Sequence, residues 1–332
     1  MTLGASAGVS DPGRRRRRNE DSYVCEPPLF AIADGMGGAQ AGEVASRLAA
    51  AVLREANGDE LSEARLVELI QEANRRVFQR SSEDAATSGM GTTMTVALVR
   101  DESIVVAHVG DSRAYRVRAG ELEQLTEDHS LVGELLRSGR LSAEEAETHP
   151  QRSVITRAIG TEPDVDVDTF TIPGQPGDLF LLCSDGLTDM VPDREIFSVL
   201  DASDDLDAAA RALVAAANAG GGEDNITVVL FQIAPPGEEQ GDETVRLPAA
   251  AAAAESPEPE LEDTLTGLEG VSAVDTAVVS AEDVREQIRR EEGRREEGAS
   301  DGSSKTRRLL PALLLVLLLA AVVALVVWGL YR

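Results

Sequence analysis

The chain has 332 residues, 59 of them acidic and 31 basic, which gives a formal charge of −28. That balance argues against a nucleic-acid backbone as the main partner, since such binders need a basic face. A phosphorylated substrate stays open wherever cations reverse the charge of one site. Two cysteines, Cys25 and Cys183, are too few for a secreted disulfide framework and read as reduced, buried thiols.

The opening "MTLGASAGVSDPG" lacks the apolar segment of a signal peptide. After the basic run "RRRRR", Arg14 to Arg18, strand-like stretches begin at Ser22 ("SYVCE") and Leu29 ("LFAIA"). Two helices follow, from Ala41 ("AGEVASRLAAAVLREA") and Ser62 ("SEARLVELIQEANRRVFQR"), with apolar residues at i, i+3 and i+4. Strands are predicted from Thr92 ("TTMTVALV"), Ser103 ("SIVVAHVG") and Arg113 ("RAYRVR"); the turns between them are short, which predicts antiparallel pairing rather than βαβ units. "DLFLLCS" from Asp178, a glycine-ended helix "DLDAAARALVAAANAGGG" and "NITVVLFQI" from Asn225 complete a globular region, residues 1–234. No internal repeat is visible.

Residues 235–304 are acidic and rich in Pro and Ala, with few large apolar groups, and read as a disordered tether. Within them "EDVREQIRREEGRREEG" is either a solvated helix or a plain charged stretch. Residues 305–332 begin with "KTRR" and continue as "LLPALLLVLLLAAVVALVVW", residues 309–328, without a charged side chain. Twenty residues at about 1.5 Å each span roughly 30 Å, a bilayer's hydrocarbon thickness. A buried core helix would show a polar side; this segment predicts a single transmembrane helix, with Pro311 tolerated in its first turn. The basic flank puts the preceding domain in the cytoplasm.

Five aspartates stand at the ends of predicted strands. Asp34, Asp111 and Asp185 follow strands; Asp21 and Asp224 precede them. Each alone reads as a turn acid, often beside glycine. "GMGGAQAG" does not fit G-x-G-x-x-G, and no GxxxxGK[ST] occurs, so the glycines are not a nucleotide cradle. Gathered at one sheet edge, five carboxylates would repel and require cations. Oxygen-only ligands select Mg²⁺ or Mn²⁺ over zinc. Two such ions about 4 Å apart can hold a bridging hydroxide and clamp a phosphoryl group. A glycine after the acid lets a backbone carbonyl approach as a further ligand.

"SDPGRRRRRNEDS", "FAIADGMGG", "GMGTTMTVAL", "VAHVGDSRAYRVRAGEL", "TEDHSLV", "HPQRSVITRAIG", "LLCSDGLTD" and "GGEDNITVV" occur in this order. Together they resemble the metal-dependent (PPM, type-2C) serine/threonine protein phosphatases, in particular bacterial membrane-tethered members, over most of residues 10–233. The resemblance implies an α/β (α+β type) sandwich: two antiparallel β-sheets face to face, flanked by helices. It implies two core Mn²⁺ or Mg²⁺ ions and a third, weaker one. Asp34 matches the carboxylate bridging the core pair, and Gly35 matches a carbonyl ligand of the second ion. Asp185 and Asp224 match ligands of the first, and Asp21 a holder of metal-bound water. Asp111 matches the ligand of the third ion, with Ser153 in the flap offering its carbonyl and Asp189 a further candidate nearby. Arg16 matches the phosphate clamp, a role that suits a bidentate guanidinium; the rest of Arg14 to Arg18 reads as surface charge.

The implied reaction is hydrolysis of phosphoserine or phosphothreonine by in-line attack of a metal-bridging hydroxide, without a phosphoenzyme. Some relatives carry histidine after the Asp-Gly pair as a general acid; here that place holds Met36. His108 reads as structural, while His129 and His149 lie in or beside the flap with contact, capping and packing roles all open. The expected partners are phosphorylated proteins, a membrane serine/threonine kinase with its substrates, and lipid through the tail. The rival reading is a membrane-tethered pseudophosphatase that only binds phosphoproteins; the intact Asp34, Asp185 and Asp224 weigh against it.

Overall fold

Runs such as "LFAIA" and "LFLLC" are apolar throughout because both faces of their sheets are covered. The computed structural model describes residues 2–37, 41–56, 61–83, 87–147, 149–234 and 277–278, all within one unit, Met1–Val278. Apart from residues 277 and 278, the predicted tether lies outside the described residues, and so does the predicted span at 309–328. Among the described residues no helix is long and apolar enough to cross a membrane.

In chain order, β1 (Leu3–Asp11), β2 (Ser22–Glu26), β3 (Leu29–Ala33) and β4 (Gly35–Met36) lead to α1 (Ala41–Glu55) and α2 (Glu63–Glu83). Then come β5 (Gly91–Thr92), β6 (Met94–Arg100), β7 (Ser103–Val109), β8 (Arg113–Arg118) and β9 (Glu121–Gln124). The flap carries α3 (Leu131–Arg137), α4 (Ala143–Glu147) and β10 (Val154–Ile155). Finally β11 (Asp168–Pro173), β12 (Leu179–Cys183), α5 (Asp185–Thr188), α6 (Asp193–Asp201), α7 (Leu206–Gly220) and β13 (Ile226–Ile233) complete the domain, and β14 (Ala277–Val278) returns from the tail.

Two five-stranded sheets form, ordered β1-β13-β12-β8-β9 and β11-β7-β6-β3-β2, with every neighbouring pair antiparallel. Side chains alternate across each strand. Phe30 and Ile32 of β3 therefore face Phe180, Leu182, Val229 and Phe231 of the other sheet. Phe231 stacks between Phe30 (centroids 4.2 Å apart) and Phe180 (4.9 Å). Leu29, Ala31 and Ala33 point the other way, into the layer under α1 and α2. Leu181 and Cys183 likewise pack against α6 and α7. The result is helix, sheet, sheet, helix, the sandwich implied by the sequence.

Besides two-residue pieces, two longer strands escape sequence reading. β1 is built of "LGASAGVSD", poor in β-branched residues. It forms because β13 offers it seven register partners, and because Gly8 makes room for the Tyr23 ring, which a Cβ would approach to 2.5 Å. β11 is an edge strand paired only with β7, with no fully buried position. Cys25 on β2 and Cys183 on β12 are both free thiols.

Candidate metal centre

The strand ends deliver the acids to one place. Asp34 leaves β3, Asp185 lies two residues beyond β12 and opens α5, Asp111 lies two residues beyond β7, and Asp21 and Asp224 stand just before β2 and β13. There each carboxyl feels the charge of the others. Burial raises the Asp34 carboxyl well above its ordinary range, and the charges of Asp21, Asp185, Asp224 and Asp111 add to it. Burial does the same to Asp185, followed by Asp111, Asp224, Asp189 and Asp21. Burial pushes Asp21 up to about 6, against hydrogen bonds from Thr227 and Ser184. Burial, Asp128 and Asp189 push Asp111 up to about 7. Asp189, whose side chain is about a third exposed, is also raised, by partial desolvation against the pull of Arg152 and Arg113.

The backbone around these acids is held from several directions. Asp34 N–H donates to Thr93 Oγ1 (3.0 Å), and its carbonyl accepts from Thr93 N–H (2.9 Å) and Thr92 Oγ1 (2.7 Å). Thr93 Oγ1 lies 2.7 Å from Ser112 Oγ, which ties the Asp34 strand end to the Asp111 loop. Asp21 Oδ2 accepts from Thr227 Oγ1 (2.5 Å) and Ser184 Oγ (3.1 Å). Glycine is required beside Asp34 by contact: a Cβ on Gly35 would run into the carbonyl oxygens of Gly42 and Glu20. At Gly186, after Asp185, it would strike the Asn225 carbonyl.

The donor set fits divalent cations of the Mg²⁺ or Mn²⁺ kind. Oδ1 of Asp21, of Asp111 and of Asp185 is buried without any hydrogen-bond partner. A buried carboxylate oxygen left so costs several kcal/mol unless a proton or cation meets it. Among the described residues no group of three or more His, Cys, Asp or Glu side chains is drawn in tightly enough to enclose an ion alone.

Arg16 joins the cluster. Its Nη2 donates to Asp224 Oδ2 at 2.7 Å, with both side chains about a quarter exposed, so the guanidinium already supplies one compensating charge. Asp224 Oδ1 accepts from the Asn225 N–H (2.8 Å). Ser153 lines a cavity of about 630 Å³ together with Asp111, Arg113, Asp128, Asp185 and Asp189. Thus seven of the residues singled out from sequence, Arg16, Asp21, Asp34, Asp111, Asp185, Asp189 and Asp224, are linked directly or by charge, and Ser153 faces the cavity beside them. Met36 does not face solvent: it is 6% exposed and packs with Ile155 and Ala158 beneath the flap.

Sequence reading missed the residues that hold the site's frame. Asn225 Oδ1 accepts from Glu20 N–H (2.8 Å) and its Nδ2 donates to the carbonyls of Pro12 (3.0 Å) and Arg18 (2.9 Å), binding the arginine loop to β13. Glu20 is half-buried, and burial is the largest cause of its raised carboxyl pKa, ahead of Asp224. His129 bridges three segments. Its Nδ1 accepts from Gly110 N–H (3.0 Å), and Nε2 lies 3.1 Å from Asp168 Oδ2 and 3.0 Å from Arg157 Nη1. His108 is structural as read: fully buried, with its pKa lowered to about 3 by desolvation and then by His129. His149 Nδ1 accepts from the Gln151 N–H (3.2 Å) within the flap. These contacts join residues 2 to over 200 positions apart, so neither spacing nor composition signals the long ones.

Residues 17–218 match the family model described as "Protein phosphatase 2C". The serine/threonine phosphatase stp of Listeria monocytogenes is 44% identical over 236 residues, which is 67% of this chain and 93% of that protein. The serine/threonine protein phosphatase PstP of Mycobacterium tuberculosis is 41% identical over 230 residues, 68% of this chain and 44% of PstP. A crystal structure of PstP superposes with a TM-score of 0.68 at 39% identity, covering 70% of this chain and all of that one. A second structure, the PstP catalytic domain with two manganese ions, superposes at 0.66 and 37% identity, covering 70% and 99%.

Proposed function

This chain belongs to the protein phosphatase 2C family and is a metal-dependent serine/threonine protein phosphatase using Mn²⁺ or Mg²⁺, and from that premise we propose which of its residues do the work. Asp34, the Gly35 carbonyl, Asp185 and Asp224 hold a core pair of ions. Asp21 orients water beside that pair, and Asp111 with the Ser153 carbonyl takes a third ion. The observation that carries this assignment is the three orphaned oxygens of Asp21, Asp111 and Asp185, buried at one point of the fold. When bound, the ions supply a water-derived nucleophile at neutral pH and neutralise phosphoryl charge.

The protein's own groups do the rest. Arg16 binds and orients the phosphate through its guanidinium fork, exchanging Asp224 for the substrate's oxygens. Thr92, Thr93 and Ser112 fix the Asp34 backbone so that its two carboxylate oxygens are aimed without rearrangement. Met36, packed under the flap, holds no proton to give, so the leaving alkoxide takes its proton from another group or from water. The 630 Å³ cavity beside Ser153 receives the phosphorylated side chain. A chromogenic aryl phosphate turned over with Mn²⁺ and not with EDTA is the expected result. Turnover that survives chelation would remove the metal from the mechanism.

We further infer the chain's arrangement: a catalytic domain at 1–234, an acidic Pro- and Ala-rich tether at 235–304 that returns to the domain at Ala277–Val278, and a basic flank with a single membrane helix at 305–332. The uncharged run 309–328 and the preceding Lys305 to Arg308 support it. The domain then works on the cytoplasmic face of the cell membrane, and a membrane serine/threonine kinase with its targets is the natural source of substrate. Deleting residues 309–328 should move the protein from the membrane to the soluble fraction with aryl phosphatase activity intact; an unchanged membrane association would sink the anchor.

A further inference from the structure

The flap strand β10 has two edges. On one, Ser130 bridges Ile155, and Thr156 N–H donates to the His129 carbonyl at 2.8 Å. On the other lies the chain's own tail: Ala277 pairs with Val154 and Val278 with Ile155, in parallel. Ala277 and Val278 are the described residues after Ala234.

The position matters because of what β10 touches. Ile155 is 1% exposed and packs on Met36, which directly follows Gly35. Ser153, the residue before Val154, lines the cavity that also holds Asp111 and Asp185. The tail therefore occupies the backbone edge at the rim of that cavity. We propose that Ala277–Val278 is a tethered strap that competes with phosphoprotein substrates for the flap edge of β10. The proposal rests on the phosphatase reading, because it is an extended phosphorylated segment that the strap displaces.

Strand addition explains why so short a contact suffices and why it yields. Main-chain hydrogen bonds accept most sequences, so one edge can serve the tail and an unrelated substrate alike. Two residue pairs give only a few bonds at about 1 kcal/mol each, offset by ordering the chain. Forty-two residues, 235–276, separate the strap from the end of β13's domain, and a random-coil chain of that length has an r.m.s. reach of roughly 35 Å. Such a link holds the strap at an effective concentration on the order of 1 mM, enough to occupy a weak site part of the time. A protein substrate bound through the same edge loses affinity accordingly. A small aryl phosphate, which needs no edge, does not.

The test uses the full chain and the double variant Ala277→Pro with Val278→Pro, because proline cannot donate to a ladder. Ala253→Pro, elsewhere in the link, is the control. For a phosphothreonine peptide we expect KM to fall about twofold in the double variant with kcat unchanged, as expected for release of a half-occupied tethered competitor. Aryl phosphate kinetics stay as they were. Amide hydrogen exchange across residues 151–158 should be faster in the double variant and unchanged in the control. A synthetic peptide of residues 271–284 should inhibit the variant against phosphopeptide and not against aryl phosphate. Unchanged KM and unchanged flap exchange together would overturn the strap. Absent aryl phosphatase activity in every form would instead overturn the phosphatase reading, and flap exchange would still decide the strap.

Discussion

The two ends of the β8–β12 pair hold the same kind of residue in opposite states. At one end Asp178, 1% exposed, precedes β12. Arg118 Nε donates to its Oδ1 at 2.7 Å, Arg118 Nη2 to its Oδ2 at 2.5 Å, and Gln175 N–H to Oδ2 at 2.8 Å. At the other end Asp185 keeps a buried oxygen with no partner, and its near neighbours are more acids. Both sit at a strand end beside glycine, in "PGDLF" and "CSDGL". A buried acid with a fitted guanidinium is part of the frame. A buried acid among acids suits cations, and its repulsion weakens the fold unless they are bound.

The sharpest way to test that contrast is Asp34→Asn. Asparagine keeps the shape and loses the charge, so the variant should fold as the parent does and fail to bind the metal pair. We expect kcat to fall by about 10³ or more, on the order of 4 kcal/mol in barrier. Circular dichroism, calorimetric Mn²⁺ titration and phosphopeptide turnover on one preparation read all three. A folded variant working near the parental rate would end the bridging assignment.

Arg118→Ala should do the reverse. It strands Asp178 as a buried charge, at a cost of about 3 kcal/mol. The melting temperature drops while kcat and Mn²⁺ affinity of the folded protein hold. A fall in kcat without loss of stability would put this end of the sheet into the site and erase the distinction.

What the sequence made legible follows the same line. The apolar five-residue runs announce buried strands, because both faces of β3 and β12 meet core. The acids beside glycine announce a site only as an ordered set, since Asp178 shows that one alone can be structural. β1 stayed hidden because Gly4, Ala5, Ser6, Ala7 and Gly8 carry no strand preference; the partner strand β13 decides it. Asn225 was visible as a letter in "GEDNITVV" but not as the clamp on Pro12 and Arg18, which only the folded backbone brings near. The strap at Ala277–Val278 lies in a stretch whose composition reads as tether, so nothing local marks it.

The acid cluster also sets a pH dependence with a definite sign. The folded-state pKa values of Asp21 (about 6) and Asp111 (about 7) lie above the usual unfolded value near 3.9, because burial favours the neutral form. Their contribution to stability is fully present below about pH 4 and is lost as the pH rises through 6 to 7. The chelated protein should melt lower at pH 8 than at pH 5, and saturating Mn²⁺ should flatten the difference. Asp185→Asn should shrink the slope in EDTA, since one repelling charge is gone. A chelated protein most stable at pH 8 would show that the acids are paired by something other than protons and metal.

The smallest effect is expected at Arg16, and it separates charge from shape. Arg16 now serves Asp224, so it could be a fixed counter-ion like Arg118 or a clamp that changes partners. Its side chain is about a quarter exposed, and its carboxylate partner keeps a second contact to Asn225 N–H, so the pair can part without stranding a buried charge. Lysine preserves the charge and removes the planar fork. If Arg16 is a clamp, Arg16→Lys should raise the phosphopeptide KM and the inhibition constant of inorganic phosphate together, each about tenfold, or about 1.4 kcal/mol, with kcat and melting temperature little changed. If it is a counter-ion only, lysine should substitute almost fully, and phosphate inhibition will not move. That outcome would place Arg16 with Arg118 in the frame and leave phosphate recognition to the ions alone.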